Sequence, residues 1–303
     1  MSSPAPPLGA VAHYTLLEKL EPAGPGDLYR ARDTRLGRTV TVRVLPPDFV
    51  ADPAARAKLI ENARSFTTLS HPNVGTLFDA GEHGGSVYLV FEYLKGMSLR
   101  AEMAGRPMNV RRAVDLAIQI ADAVAEAHAA GFIHGGLSPD TIVITAKGSA
   151  KIPAFELASR SGFFEYGGEV RLHDYDAPEE AQGRPADDRS DIYSVGAVLY
   201  EMLTTKRPSH KGAAFPSASN RHVPAEVDEV VLKAVAPNPD SRYQSMATLS
   251  AELRSVSAIL GVRETAEEHE DEAATKSTSV GRVLVLAIVM LSVLALIAYY
   301  VTR

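Results

Sequence analysis

Residues 132–144 read FIHGGLSPDTIVI, and the residue types suggest a place where chemistry is done. A histidine precedes a Ser-Pro-Asp turn and then a β-branched run, the pattern of a polar loop feeding a short buried strand. Two positions that would normally carry reactive groups are glycine, Gly135 and Gly136. The stretch is therefore either a catalytic loop or the frame of one. Composition narrows the chemistry. With no cysteine among 303 residues, there is no disulfide, thiolate metal site or cysteine nucleophile. Lys+Arg 31 against Asp+Glu 37 gives a net charge of −6, which argues against a nucleic-acid binder.

The elements that must position this loop lie on both sides of it. Residues 1–13 are Pro/Ala-rich and expected to be mobile. From Tyr14 to Leu94, strand-type segments dominate. TVTVRVL (39–45) alternates, and HGGSVYLVFEY (83–93) places a Gly-Gly turn ahead of a strand. One helix is predicted among them over 52–69, with Asp52 as N-cap and Pro53 at its first position. Helices are predicted beyond Met97 at 109–131, 187–205, 223–236 and 245–260. Residues 261–281, with the acidic run EEHEDE, read as a solvated linker. A β-rich lobe over 14–94 followed by a larger helical lobe over 95–260 is an α+β arrangement.

The last stretch is of another kind. Residues 283–301, VLVLAIVMLSVLALIAYYV, carry no charge and lie between Arg282 and Arg303. As a helix they would span roughly 28 Å at ~1.5 Å per residue, close to the ~30 Å hydrocarbon core. They are expected to form one transmembrane helix (282–303) contacting the lipid bilayer, with Tyr299 and Tyr300 at an interface. The first residues lack a secretory signal. The expected location is thus the cell membrane, single-pass, with the folded part cytoplasmic and no domain outside the cell.

Eight segments between Tyr14 and Leu260 carry a family resemblance: LYRARD (28–33), LSHPNV (69–74), YLVFEY (88–93), HGGLSPDTIVI (134–144), KIPAFELA (151–158), YDAPE (175–179), RSDIYSVGAVLYEML (189–203) and NPDSRYQS (238–245). In this order they resemble the eukaryotic-like Ser/Thr protein kinases of bacteria. The resemblance implies a two-lobed kinase-like fold and supplies a list of working parts. Phosphoryl transfer needs phosphates held, metal charge supplied and the acceptor hydroxyl placed and deprotonated.

Matched position by position, those parts are mostly replaced. In the phosphate loop Glu21 and Ala23 stand for the first two glycines, Gly26 keeps the third, and Pro22 and Pro25 each remove an N–H donor. The V-A-I-K lysine is Arg43, and its helix glutamate falls on Asn62, with Glu61 next to it on another face. The family's H-R-D-L-K-P-x-N reads His134 to Thr141. Its catalytic aspartate becomes Gly136, its lysine Ser138 and its metal-binding asparagine Thr141. The D-F-G aspartate is Ala154, and the threonine that seats the acceptor is Leu172. Asp140 and Glu156 are the carboxylates left to substitute, and Ser159 or Ser161 could accept phosphate from another kinase. The segment before Pro224 is short, and the helix that docks substrates in the family is expected to be missing.

Residues implied to shape the fold remain. His134, Phe155 and Phe66 match the apolar spine, Asp191 the buried aspartate below the loop, and Glu179 with Arg242 the salt bridge of the large lobe. A nucleotide pocket, if one exists, would be walled by Leu20, Leu28, Phe91, Leu94 and Val143, with Arg43 at the phosphates and Thr41 crowding the roof. The expected function is a membrane-tethered pseudokinase, a signalling scaffold or allosteric regulator. Its expected partners are cytoplasmic or membrane signalling proteins such as an active kinase. No catalytic residue, metal or cofactor is expected under that reading. The alternatives are a weak or unconventional Ser/Thr protein kinase using ATP and magnesium, and an inert structural membrane protein.

Overall fold

The computed structural model describes residues 8–20, 26–49, 51–153, 174–263 and 290. The chain divides into two compact units, 1–256 and 257–303, and both lobes belong to the first.

The small lobe is built on a six-stranded antiparallel sheet. Its strands are β1 (Gly9–Val11), β2 (Tyr14–Leu20), β3 (Asp27–Asp33), β4 (Thr39–Val44), β5 (Leu77–His83) and β6 (Ser86–Glu92), in the order β1-β2-β3-β4-β6-β5. Residues 9–11 were expected to be mobile. They instead pair with β2, because Val11 and Tyr14 close a tight hairpin onto the sheet. The Gly-Gly signal is met by a two-residue turn in which Gly84 and Gly85 both have positive φ (59° and 82°), the geometry that matches strand twist. One sheet face packs Tyr14, Leu16, Ala31, Val40, Val42, Tyr88 and Val90 into a core.

Helix α1 spans Pro53–Ser65, with the Asp52 carboxylate accepting from the Ala55 N–H at 2.9 Å. Predicted to run to residue 69, it tightens into a 3-10 turn over Phe66–Thr68, where the Thr67 and Thr68 hydroxyls bond back to carbonyls three residues earlier. Its buried stripe of Ala55, Leu59 and Ala63 has the i, i+4, i+8 spacing of a helix laid against a sheet.

The large lobe contains α2 (Leu99–Met103), α3 (Val110–Ala129), α4 (Asp188–Thr204), α5 (Ala225–Ala234) and the start of a helix, α6, that begins at residue 246. The Asn109 side chain caps α3 through the Arg112 N–H. A reciprocal Asp187–Ser190 capping box starts α4, which is buried from Ser190 to Thr204 and forms the spine of the lobe. A small sheet, β7 (Gly96–Ser98), β8 (Val143–Thr145) and β9 (Ala150–Lys151), receives the chain leaving the 134–141 loop. Between α4 and α5 there is only a 3-10 turn at Pro216–Ala218. No helix among the described residues is long and apolar enough to cross a membrane. Residues 283–301, apart from Met290, lie outside them.

Candidate active-site cleft

The 134–141 loop is fixed from below by one carboxylate. Asp191 sits in the first turn of α4 and is 0% exposed. Its Oδ2 accepts the His134 N–H at 2.7 Å, and its Oδ1 accepts the Gly135 N–H at 2.8 Å. The His128 ring nitrogen Nε2 lies 2.7 Å from the same Oδ2. Gly135 has φ 64°, a backbone region that suits glycine far better than the family's arginine. Burial pushes the His134 imidazole down to about 4, so the ring is neutral at physiological pH.

The working positions of the loop are turned inward. Gly136 offers no side chain. The Thr141 hydroxyl accepts the Ser138 N–H at 3.0 Å and contacts the Ser138 carbonyl at 3.0 Å. The Ser138 and Thr141 hydroxyls are themselves 3.5 Å apart. These side chains close the turn, and none of them is an acid or base near neutral pH. Asp140, the carboxylate that could have substituted, is committed elsewhere. It pairs with Arg100 at 3.0 Å, and Arg100 also binds Glu201 at 2.6 Å and the Tyr175 hydroxyl. The hydrogen bonds that Arg100 donates to Asp140, and then to Tyr175 and Glu201, push its guanidinium up and keep it protonated. Among the described residues no group of three or more His, Asp or Glu side chains is placed to hold a metal. Among the described residues, the Thr141 hydroxyl is used inside the turn and the Asp140 carboxylate is ion-paired. Glu21, Pro22, Ala23, Pro25, Ala154, Phe155, Glu156, Ser159, Ser161 and Leu172 lie outside the described residues.

Strand register assembles the predicted nucleotide walls. Leu20 pairs with Leu28, Leu28 with Arg43, and Thr41 with Phe91. Directly paired residues share a face, as do residues two apart, so Leu20, Leu28, Thr41, Arg43 and Phe91 face the same way. Leu94 follows β6, and Val143 opens β8. All but Phe91 and Arg43 are half-buried, as cleft linings are. Arg43 is 1% exposed, whereas Asn62 is exposed on α1, and no hydrogen bond joins the two. Gly26 keeps its place for a steric reason: at φ 80°, a Cβ would come within 2.3 Å of the Val44 carbonyl oxygen. A cavity between α1 and β5, lined by Ile60, Glu61, Arg64 and Gly81 among others, shares no residue with this cleft.

Three contacts escaped sequence reasoning. Phe66 stacks on Phe132, with ring centroids 3.8 Å apart, so α1 is joined to the loop two residues before His134. The Lys151 ammonium donates to both Glu92 carboxylate oxygens (2.7 and 2.8 Å), tying the end of β6 to β9. The Arg100 cluster joins α2, the loop, Tyr175 and α4. None has a local sequence signal, since the partners lie 26 to 101 residues apart.

The lobe's other anchor is Glu179 with Arg242, a bidentate pair at 2.7 Å for both bonds and buried on both sides. Burial alone would raise the Glu179 carboxyl. The Arg242 guanidinium and further hydrogen bonds outweigh it and hold the group below the ordinary carboxylate range.

The family pattern described as protein kinase domain matches residues 14–259. The chain belongs to that family. This kinase-family domain is 34% identical over 263 residues to the serine/threonine-protein kinase PknB of Mycobacterium tuberculosis, covering 79% of this chain and 42% of that one. It is 31% identical over 258 residues to PrkC of Bacillus subtilis, covering 80% and 40%. The chain thus spans about two fifths of the length of these curated relatives. The kinase domain of Mycobacterium tuberculosis PknI has the same fold, with a TM-score of 0.65 at 21% identity, covering 84% of this chain and 99% of that one.

Proposed function

We propose that this kinase-family domain acts by binding other proteins, tethered at the cytoplasmic membrane face by residues 283–301, and does not transfer phosphate. The observation that carries this reading is the 134–141 loop. Gly136, Ser138 and Thr141 occupy its three working positions, and the Thr141 hydroxyl is spent closing the turn. Loss of a general base alone costs ~10²–10⁴ in rate, and loss of metal charge adds several kcal/mol by rough estimate. The frame around the loop, Asp191 beneath it and Glu179 with Arg242 beside it, supports a shaped surface that a partner protein can recognise.

A second reading is a weak or unconventional ATP-dependent Ser/Thr protein kinase. It is favoured by the names of the relatives, all serine/threonine-protein kinases, and by the apolar walls on one face of the sheet. Radiolabelled ATP separates the two. No transfer to the chain or to a generic acceptor is expected. Transfer that persists on repurification and vanishes in a folded Asp191→Ala control establishes the kinase. A pull-down from membranes that recovers no specific partner would sink the binding role.

A further inference from the structure

Residues 206–211, KRPSHK, follow α4 and set one serine among basic residues. Lys206 and Arg207 stand before Ser209, and His210 and Lys211 after it. Pro208 confines Arg207 to extended backbone, which puts Arg207 and Ser209 on one side of the chain. Burial agrees, since Pro208 is buried while Arg207 and Ser209 are exposed. The chain then turns. The Gly212 N–H donates to the Ser209 carbonyl at 3.0 Å, and the Lys211 N–H donates to the Ser209 hydroxyl at 3.2 Å. Two acids touch this connection between α4 and α5. Asp228 accepts the Ser217 N–H at 2.9 Å, further along the chain. Asp174 pairs with Arg207 itself, and both side chains are exposed. Lys211 makes no ion pair among the described residues.

An exposed ion pair is weakly held. A phosphoserine carries nearly two negative charges and three acceptor oxygens, against the single charge of Asp174. At position 209 it would stand beside the Lys211 N–H, about 7 Å along the chain from Arg207, a span its side chain covers. It therefore outbids Asp174 for the guanidinium. Of the other serines here, Ser217 is half-buried and Ser219 has one cation on its hydroxyl, Lys206 at 3.4 Å. We propose that Ser209 is a phosphorylation site, served by a separate Ser/Thr kinase, and that its phosphate draws Arg207 from Asp174. In the transfer the Ser209 Oγ bonds to the γ-phosphorus of magnesium ATP held by that kinase. The bond from this phosphorus to the ADP oxygen breaks, and the hydroxyl proton passes to the kinase's base. Asp174 directly precedes Tyr175, whose hydroxyl belongs to the Arg100 cluster, so the exchange acts next to a support of the 134–141 loop. That the phosphate comes from another enzyme rests on the reading that this domain transfers none.

The full chain is incubated with magnesium ATP, alone and with the PknB kinase domain, and phosphate is mapped by mass spectrometry. Phosphate is expected on Ser209 only when the second enzyme is present, and is lost from that peptide in Ser209→Ala. No phosphate at 209, or phosphate only at Ser217 or Ser219, overturns the site. Phosphate at 209 from ATP alone overturns the separate enzyme, and with it the reading of a domain that transfers none. The cradle is tested without any kinase, by placing phosphoserine at 209 during synthesis and titrating it by phosphorus NMR. Nearby cations favour the dianion, so its second proton should leave at least ~0.5 pH units lower than in the urea-unfolded chain. Arg207→Gln with Lys211→Gln should abolish that difference. Equal titration in folded and unfolded chains overturns the cradle. Phosphoserine at 209 and Arg207→Gln in the unmodified chain should raise hydrogen exchange alike at residues 174–176. A rise in the second alone overturns the exchange of partners.

Discussion

Asp191 serves three partners at once: two backbone N–H groups of the loop and the His128 ring. Truncating it strands buried donors, each costing about 1–3 kcal/mol. Asp191→Ala is therefore expected to lose at least about 3 kcal/mol in urea unfolding. Glu179→Ala would leave the Arg242 guanidinium buried without its carboxylate, and should cost about 3–5 kcal/mol by the same measurement. His134 predicts a pH effect of definite sign. Its folded value of about 4 lies below the ordinary 6.5, so the unfolded chain binds more protons between those limits. Stability should be complete above pH 6.5 and fall towards pH 4. His134→Leu should remove this share of the slope between pH 7 and pH 5, even if it lowers stability at both.

At the scale of elements, local signals placed much of the structure. Caps and apolar spacing located α1, α3, α4 and α5, and paired glycines located the β5–β6 turn. The misses have physical reasons. Helix α1 stops early because Thr67 and Thr68 bond their hydroxyls back to the main chain. The strands β7 and β9 are two or three residues long and exist only through pairing with β8, the short strand the sequence does signal. The candidate cleft divides the same way. The family resemblance named Leu20, Leu28, Thr41, Arg43 and Phe91 and the strand register sets them on one face, while the Phe66–Phe132 stack and the Glu92–Lys151 pair depend on folding distant segments together. That stack predicts coupling between α1 and the loop. Phe132→Ala should destabilise by up to about 3 kcal/mol and raise hydrogen exchange in both α1 and residues 132–141.

For the whole molecule, nucleotide response is the sharpest discriminator. The cleft has apolar walls, and among the described residues no three His, Asp or Glu side chains are grouped to hold a metal. Under the binding reading, ATP should raise the melting temperature little, and magnesium or its removal by EDTA should not alter that result. A large magnesium-dependent shift would favour the enzyme reading.

The self-closed turn of Ser138 and Thr141 carries one more consequence. A loop whose shape depends on a bound cation and nucleotide varies with the energy state of the cell. This turn is completed by its own hydroxyl and a buried carboxylate, so under the binding reading its shape would not follow ATP supply. A protein that recognises it would register how many copies of the domain are present, in fed and starved cells alike.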